Sequence, residues 1–144
     1  MKSEMTFSLK IDNEEVRRIF KSHSEVLLVY LFGSGRNEIP NHPLSDIDVG
    51  ILFNTDKPPI KTILRLISDL TDVFKAKIDL VILNTCSIRM KFEVIKNGLV
   101  LFYTQRSNKI EFEQRTMSQY YDRRYYDLRE TEQQLQRWGK SGFS

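Results

Sequence analysis

The chain has 144 residues, and its 22 Lys and Arg residues against 19 Asp and Glu residues give a formal net charge of +3. With 40% hydrophobic and 28% charged residues, the composition is that of a globular protein and excludes an intrinsically disordered chain. No apolar run approaches the roughly 20 residues that a transmembrane helix needs, so we expect no membrane contact. One cysteine excludes an internal disulfide, and the N-terminus shows no secretory signal, so a cytoplasmic protein is expected.

The first 103 residues alternate between helical and strand patterns. Apolar residues at helical spacing, short apolar runs and loop-forming residues predict helix, strand, loop, strand, helix, strand, helix and strand in that order. The predicted class is therefore α/β, with a mixed sheet of about four strands and helices packed on it. The corresponding segments are 13–23, 26–32, 35–45, 46–53, 58–74, 78–83, 88–97 and 99–103.

The last part of the chain, residues 104–144, forms a helical tail to the domain of residues 1–103. An apolar seam at near-heptad spacing predicts one long helix, and we expect part of this seam to pack on the domain. The rest is available to a protein partner or to a second copy of the chain. Tyrosines and arginines in the tail also permit RNA contact, but nearby acids almost cancel the positive charge, which makes nucleic acid the less favoured partner. The seam residues are Ile110, Met117, Tyr121, Leu128, Leu135 and Trp138.

Two acids in the second predicted strand are candidates for chemistry. Asp46 and Asp48 are two residues apart, so both side chains point to the same face of the sheet. Neighbouring carboxylates repel each other unless a cation lies between them, and a divalent metal ion commonly fills that place. The alternative is that Asp46 only begins the strand and that Asp48 is an edge charge.

A third acid, Asp79, interrupts the next apolar strand near its start. The helix 58–74 has the length of a crossover, which makes the strands before and after it parallel neighbours. Asp79 is then expected beside Asp46 and Asp48, and three carboxylates at one sheet end form a site suited to one or two Mg²⁺ ions. A salt bridge from Asp79 to Lys75 or Lys77 is the alternative.

Gly33 and Ser34 follow the first strand directly. If the first two strands are antiparallel, this dipeptide lies close to the carboxylates, where backbone N–H groups and a hydroxyl can bind phosphate oxygens. The alternative is an ordinary turn.

Taken together, Leu31-Phe32-Gly33-Ser34, a loop, Ser45-Asp46-Ile47-Asp48-Val49 and the later Asp79 resemble the nucleotidyltransferase superfamily of DNA polymerase beta type, in particular its minimal (MNT) branch. The resemblance implies a polymerase-beta-type fold and Mg²⁺-dependent transfer of AMP from ATP to a hydroxyl group. It assigns metal binding and catalysis to Asp46, Asp48 and Asp79, and phosphate binding to Gly33 and Ser34.

The resemblance also implies a partner. Minimal nucleotidyltransferases often act as antitoxins that bind or adenylylate a helical HEPN ribonuclease toxin, which would make a partner tyrosine the acceptor. Two other functions stay open: a catalytically silent module that sequesters its partner, and an RNA-binding protein.

Overall fold

The computed structural model describes residues 13–32 and 46–142; of residue 125 and residues 138–142 it describes the backbone alone. In these ranges the chain forms four strands, β1 (Val26–Phe32), β2 (Asp46–Phe53), β3 (Lys77–Ile82) and β4 (Leu99–Tyr103). It also forms four helices, α1 (Asn13–Lys21), α2 (Ile60–Phe74), α3 (Ile88–Asn97) and α4 (Arg106–Gly142). No helix within the described ranges is both long enough and apolar enough to cross a membrane.

The strands form one mixed sheet in the order β3-β2-β1-β4. Strand β1 is antiparallel to both β2 and β4, whereas β2 and β3 are parallel neighbours joined through α2. A parallel pair needs such a crossover, and α2 supplies it. The predicted mixed α/β sheet with a long C-terminal helix is therefore confirmed.

The two faces of the sheet are covered by different helices. Side chains such as Ile47, Val49 and Ile51 of β2 pack with Leu66 and Leu70 of α2, and α1 joins them on this face. The opposite face carries a smaller cluster, in which β1 side chains pack against α3 and α4; its buried members are Leu28, Tyr30, Phe32, Leu83, Val94 and Phe112.

The C-terminal helix packs through a different stripe from the one predicted. All seam side chains that the structure describes are between 43% and 59% exposed: Ile110, Met117, Tyr121, Leu128 and Leu135. Phe112 and Thr116 are buried instead, and Tyr120 is half-buried and stacks on Phe92. The expectation that part of the seam packs on the domain is confirmed at Tyr121, whose ring lies edge-on to Phe92 of α3. Most of the described seam is exposed instead, because the packed stripe includes a polar residue, Thr116, which the apolar pattern does not reveal.

Gly98 ends α3 and brings two backbone segments together. Its N–H donates to the carbonyl of Val94 at 2.8 Å, and a side-chain carbon placed here would collide with that carbonyl and lie 3.2 Å from the carbonyl oxygen of Leu31. Gly98→Ala is therefore expected to lower the free energy of unfolding by about 1–3 kcal/mol, measured by urea denaturation. Lys96→Ala, an exposed change on the same helix, is the control and should stay within about 0.5 kcal/mol of wild type. Equal stability of the two variants would contradict the close approach.

Candidate active site

The pairing of β2 with β3 determines where the three acids lie. Asp48 pairs in register with Asp79, and Asp46 pairs with Lys77. In-register residues of neighbouring strands point to the same face, and so do residues two apart in one strand. Asp46, Asp48 and Asp79 therefore share one face at the N-terminal ends of β2 and β3.

Hydrophobic burial explains why the acids face this way. Ile47 is 1% exposed and Val49 is fully buried, so the apolar residues of β2 point into the core under α2. A slip of one residue would bury the carboxylates there, which makes the register strongly specified. Asp48 pairs with Phe32 of β1, so the acids lie on the face that α3 and α4 cover elsewhere.

The electrostatics of the site reflect the burial of one carboxylate and the repulsion between all three. Asp46 and Asp79 are exposed, whereas Asp48 is half-buried. The pKa of Asp48 is raised above its ordinary value by burial first, then by the negative charge of Asp79 and a hydrogen bond with it, and also by the charge of Asp46. In the part of the chain that the structure describes, neither Lys75 nor Lys77 forms an ion pair with Asp79. The salt-bridge interpretation of Asp79 therefore has no support.

The carboxylates offer the oxygen ligands that Mg²⁺ prefers. Across residues 13–32 and 46–142, no three His, Cys, Asp or Glu side chains are gathered as a group that could enclose a metal ion. Asp48 and Asp79 nevertheless lie within hydrogen-bonding reach of each other, and the charge of Asp46 also acts on Asp48. This donor set fits a hard divalent cation, which would relieve the repulsion. Metal binding by the three residues stays a prediction.

Gly33 and Ser34, the predicted phosphate-binding residues, lie outside the described residues. Phe32, which precedes them, pairs with Asp48. Their role in phosphate binding therefore stays a prediction.

A partly buried polar contact between β1 and α4 was not predicted. The hydroxyl of Tyr30 donates to Glu113 at 2.5 Å, and Lys109 donates to the other oxygen of Glu113 at 3.3 Å. Burial, followed by the hydrogen bond and the charge of Glu113, raises the pKa of Tyr30 far above its ordinary value, so the phenol keeps its proton. The contact ties α4 to the strand that leads toward the carboxylates. The one signal in the sequence is a tyrosine within an otherwise apolar strand.

Comparison with known proteins identifies the family. Residues 14–107 match the family described as "Polymerase beta, Nucleotidyltransferase". The chain belongs to this nucleotidyltransferase family. No curated protein matches it.

Solved structures share the fold of this nucleotidyltransferase. One is a toxin–antitoxin with AMP-PNP, at a TM-score of 0.67 and 21% identity, covering 87% of this chain and 99% of that chain. An MntA–HepT toxin–antitoxin has a TM-score of 0.62 and 22% identity, and the match covers 85% of this chain and 96% of that chain. A complex of a tri-AMPylated Shewanella oneidensis HEPN toxin with an MNT antitoxin has a TM-score of 0.62 and 21% identity, and the match covers 85% of this chain and 95% of that chain. At such identities the likeness establishes the fold.

The raised pKa of Asp48, caused by burial and by the neighbouring negative charges, predicts a pH-dependent change in stability. Because its pKa is raised in the folded state, the folded chain binds this proton more tightly than the unfolded chain does. The free energy of unfolding of the metal-free wild type therefore falls as the pH rises from 3.8, the ordinary pKa of the group, through the raised pKa of Asp48 in the folded chain. Asp48→Asn, which cannot titrate, is expected to gain stability relative to wild type as pH rises from about 3.5 to about 7.

Urea unfolding in the presence of EDTA measures this difference. Asp72→Asn, at an exposed position of α2, is the control and should show no such gain. If the free energies of unfolding of Asp48→Asn and wild type differ by the same amount at both ends of the pH range, the prediction is contradicted.

Proposed function

We propose that this protein is a Mg²⁺-dependent adenylyltransferase that transfers AMP from ATP to a tyrosine hydroxyl of a HEPN-type toxin and so acts as its antitoxin. The observation that carries the proposal is the in-register pair of Asp48 and Asp79, with Asp46 on the same face, in a chain of the polymerase beta nucleotidyltransferase family. We place the reaction in the cytoplasm, where ATP is available.

Each candidate residue has a task in this reaction. Asp46, Asp48 and Asp79 would hold Mg²⁺, which when bound supplies charge stabilisation at the phosphates and favours loss of the proton from the acceptor hydroxyl. Gly33 and Ser34 would bind the β- and γ-phosphates and orient pyrophosphate as the leaving group. Asp79, exposed at the sheet end, can alternatively accept the hydroxyl proton itself.

The proposed transfer balances in atoms and charge. The acceptor oxygen forms a bond to the α-phosphorus of ATP, and the bond from that phosphorus to the oxygen bridging to the β-phosphate breaks. The products are the AMP ester of the tyrosine and pyrophosphate, and the proton of the hydroxyl passes to a carboxylate or to water. A site can catalyse such a reaction by positioning the reacting groups and by neutralising the charge on the phosphates, since both lower the activation barrier.

Similar structures support the choice of substrate and partner. One neighbour with this fold is a toxin–antitoxin with AMP-PNP, and another is a complex that contains a tri-AMPylated HEPN toxin. Each match covers at least 85% of this chain and at least 95% of the neighbour's chain. The shared fold therefore extends from the sheet into the C-terminal helix. This supports ATP as the nucleotide and a HEPN protein as the acceptor.

Labelled ATP tests the proposal directly. The protein is incubated with Mg²⁺, a co-expressed HEPN-type protein, and ATP labelled at either the α- or the γ-phosphate. Label from the α-position is expected on the HEPN protein, and label from the γ-position is not. Absence of transfer from either nucleotide would contradict the proposed activity.

The silent binding module makes a different prediction in the same system. If the protein acts only by sequestering its partner, Asp46→Ala and Asp48→Ala variants neutralise the toxin as fully as wild type does. Under the proposed catalytic function, both variants are expected to lose neutralisation at toxin concentrations above their own.

A further inference from the structure

A small groove lies between the first turn of α3 and the middle of α4, with a volume of about 160 Å³. We call it the arginine groove. Its principal lining residues are Ile88, Arg89, Arg123, Arg124, Asp127 and Leu128. It lies beyond the C-terminal end of β3, whereas Asp79 lies near the N-terminal end of that strand. The groove is therefore distinct from the carboxylate site.

The charges of the groove are unbalanced. Three arginines face a single acid, Asp127, which leaves an excess of two positive charges. None of the three, Arg89, Arg123 or Arg124, forms an ion pair within the described part of the chain. Guanidinium groups gathered in this way repel each other and favour an anionic ligand, since arginine binds carboxylates through two parallel hydrogen bonds.

The groove is held in shape by aromatic packing that includes Tyr120, one of its lining residues. Phe92 of α3 stacks on Tyr120 of α4 with ring centroids 3.8 Å apart and an angle of 5° between the planes. Tyr121 meets both rings edge-on, at 5.8 and 5.5 Å. Ser87 caps the start of α3 by accepting a hydrogen bond from the backbone of Met90 at 3.1 Å. The arginines therefore extend from two helices whose relative position is already set.

Size and surface character indicate what the groove binds. A nucleotide-sized ligand needs a pocket on the order of 300 Å³ or more, so 160 Å³ accommodates only one or two side chains. Leu128 is 59% exposed beside the arginines, and Tyr121, about two helical turns before Leu128, is 55% exposed. Arginine and aromatic side chains around an apolar contact are typical of the centre of a protein–protein interface.

We propose that the arginine groove docks an acidic, amphipathic segment of the protein partner. Carboxylates of that segment bind Arg89, Arg123 and Arg124, and an apolar side chain packs on Leu128. The inference rests on the proposed function, because the partner is the HEPN-type protein whose tyrosine is modified. It adds a docking surface that contacts the partner at a place separate from the reacting atoms.

The affinity for the HEPN partner tests the groove. It is measured by calorimetry for wild type, for the triple variant Arg89→Ala/Arg123→Ala/Arg124→Ala, and for the matched control Lys57→Ala/Lys61→Ala/Arg65→Ala. The control removes the same charge from exposed positions just before α2 and in its first two turns. The groove variant is expected to weaken binding at least about tenfold, and the control less than about twofold. Wild-type binding should also weaken more with added NaCl than that of the groove variant.

Equal affinity of the groove variant and wild type would overturn the inference, and so would an equal loss in the control. If the triple-alanine variant does not fold, Arg89→Lys/Arg123→Lys/Arg124→Lys replaces it. This variant keeps the charge, and a loss of at least about threefold is expected because lysine cannot bind a carboxylate through two parallel bonds. Wild-type affinity in the triple-lysine variant would also overturn the inference.

Two further outcomes separate this inference from its alternatives. A wild type that binds the partner without transferring AMP contradicts the proposed activity, and the same affinity comparison still decides the groove. If the groove variant keeps its affinity for the partner but loses affinity for a single-stranded RNA of 20 nucleotides, the groove is an RNA site and the inference is overturned.

Discussion

Asp48→Asn is expected to reduce the rate of AMP transfer more than about a hundredfold. Changing a residue that only orients a metal ligand costs 10–100-fold, and Asp48 is proposed to be a ligand itself. The central place of Asp48 supports this, because it is paired in register with Asp79 and stands two residues from Asp46 on the same face. The measurement is the initial rate of label incorporation from α-labelled ATP at saturating Mg²⁺ and partner.

Structural damage is excluded by two controls. Asp48→Asn removes a carboxylate that its neighbours repel, so the metal-free fold should be at least as stable as wild type near neutral pH. Asp72→Asn carries the same chemical change at an exposed position of α2 and should keep the wild-type rate. Asp79→Asn is expected to behave as Asp48→Asn does. A variant of Asp48 or Asp79 that keeps a rate within threefold of wild type would contradict the assignment.

Phe112→Ala is expected to lower the free energy of unfolding by about 3 kcal/mol, the usual cost of removing a buried aromatic ring. Phe112 is 9% exposed and packs against Tyr30, with ring centroids 6.2 Å apart. The loss should weaken the attachment of α4 to the sheet. Equilibrium unfolding in urea, followed by circular dichroism, measures the change.

Ile110→Ala is the matched control for this result. Ile110 belongs to the predicted apolar seam, lies on the same helix two residues earlier, and is 44% exposed. Its truncation is expected to cost less than about 1 kcal/mol, since most of its surface is already in water. A larger effect at Ile110 than at Phe112 would show that the seam, and not the observed stripe, holds α4 on the domain.

Most of the sheet could be predicted because its strands are short apolar runs separated by turn-forming residues. The length of α2 predicted the parallel pairing of β2 with β3, and the alternation of Ile47 and Val49 with the acids predicted which face is buried. The boundaries were less certain, because strand and helix ends depend on hydrogen bonds that composition does not reveal. Strand β3, for example, begins at Lys77, one residue earlier than predicted.

The carboxylate site was more predictable than the surfaces of α4. Acids interrupt apolar strands conspicuously, so Asp46, Asp48 and Asp79 could be identified before any contact was known. The pair formed by Tyr30 and Glu113 could not, because the two residues are 83 positions apart and no local pattern links them.

The amino-acid sequence by itself determined the strand order around the site and the common face of its three acids, because burial of alternate residues and a crossover helix permit few other arrangements. Only the tertiary structure decided which stripe of α4 packs on the sheet and which arginines meet in one groove. Both depend on contacts between segments far apart in the chain, where the geometry of packing selects among helix faces that the pattern of apolar residues leaves nearly equivalent.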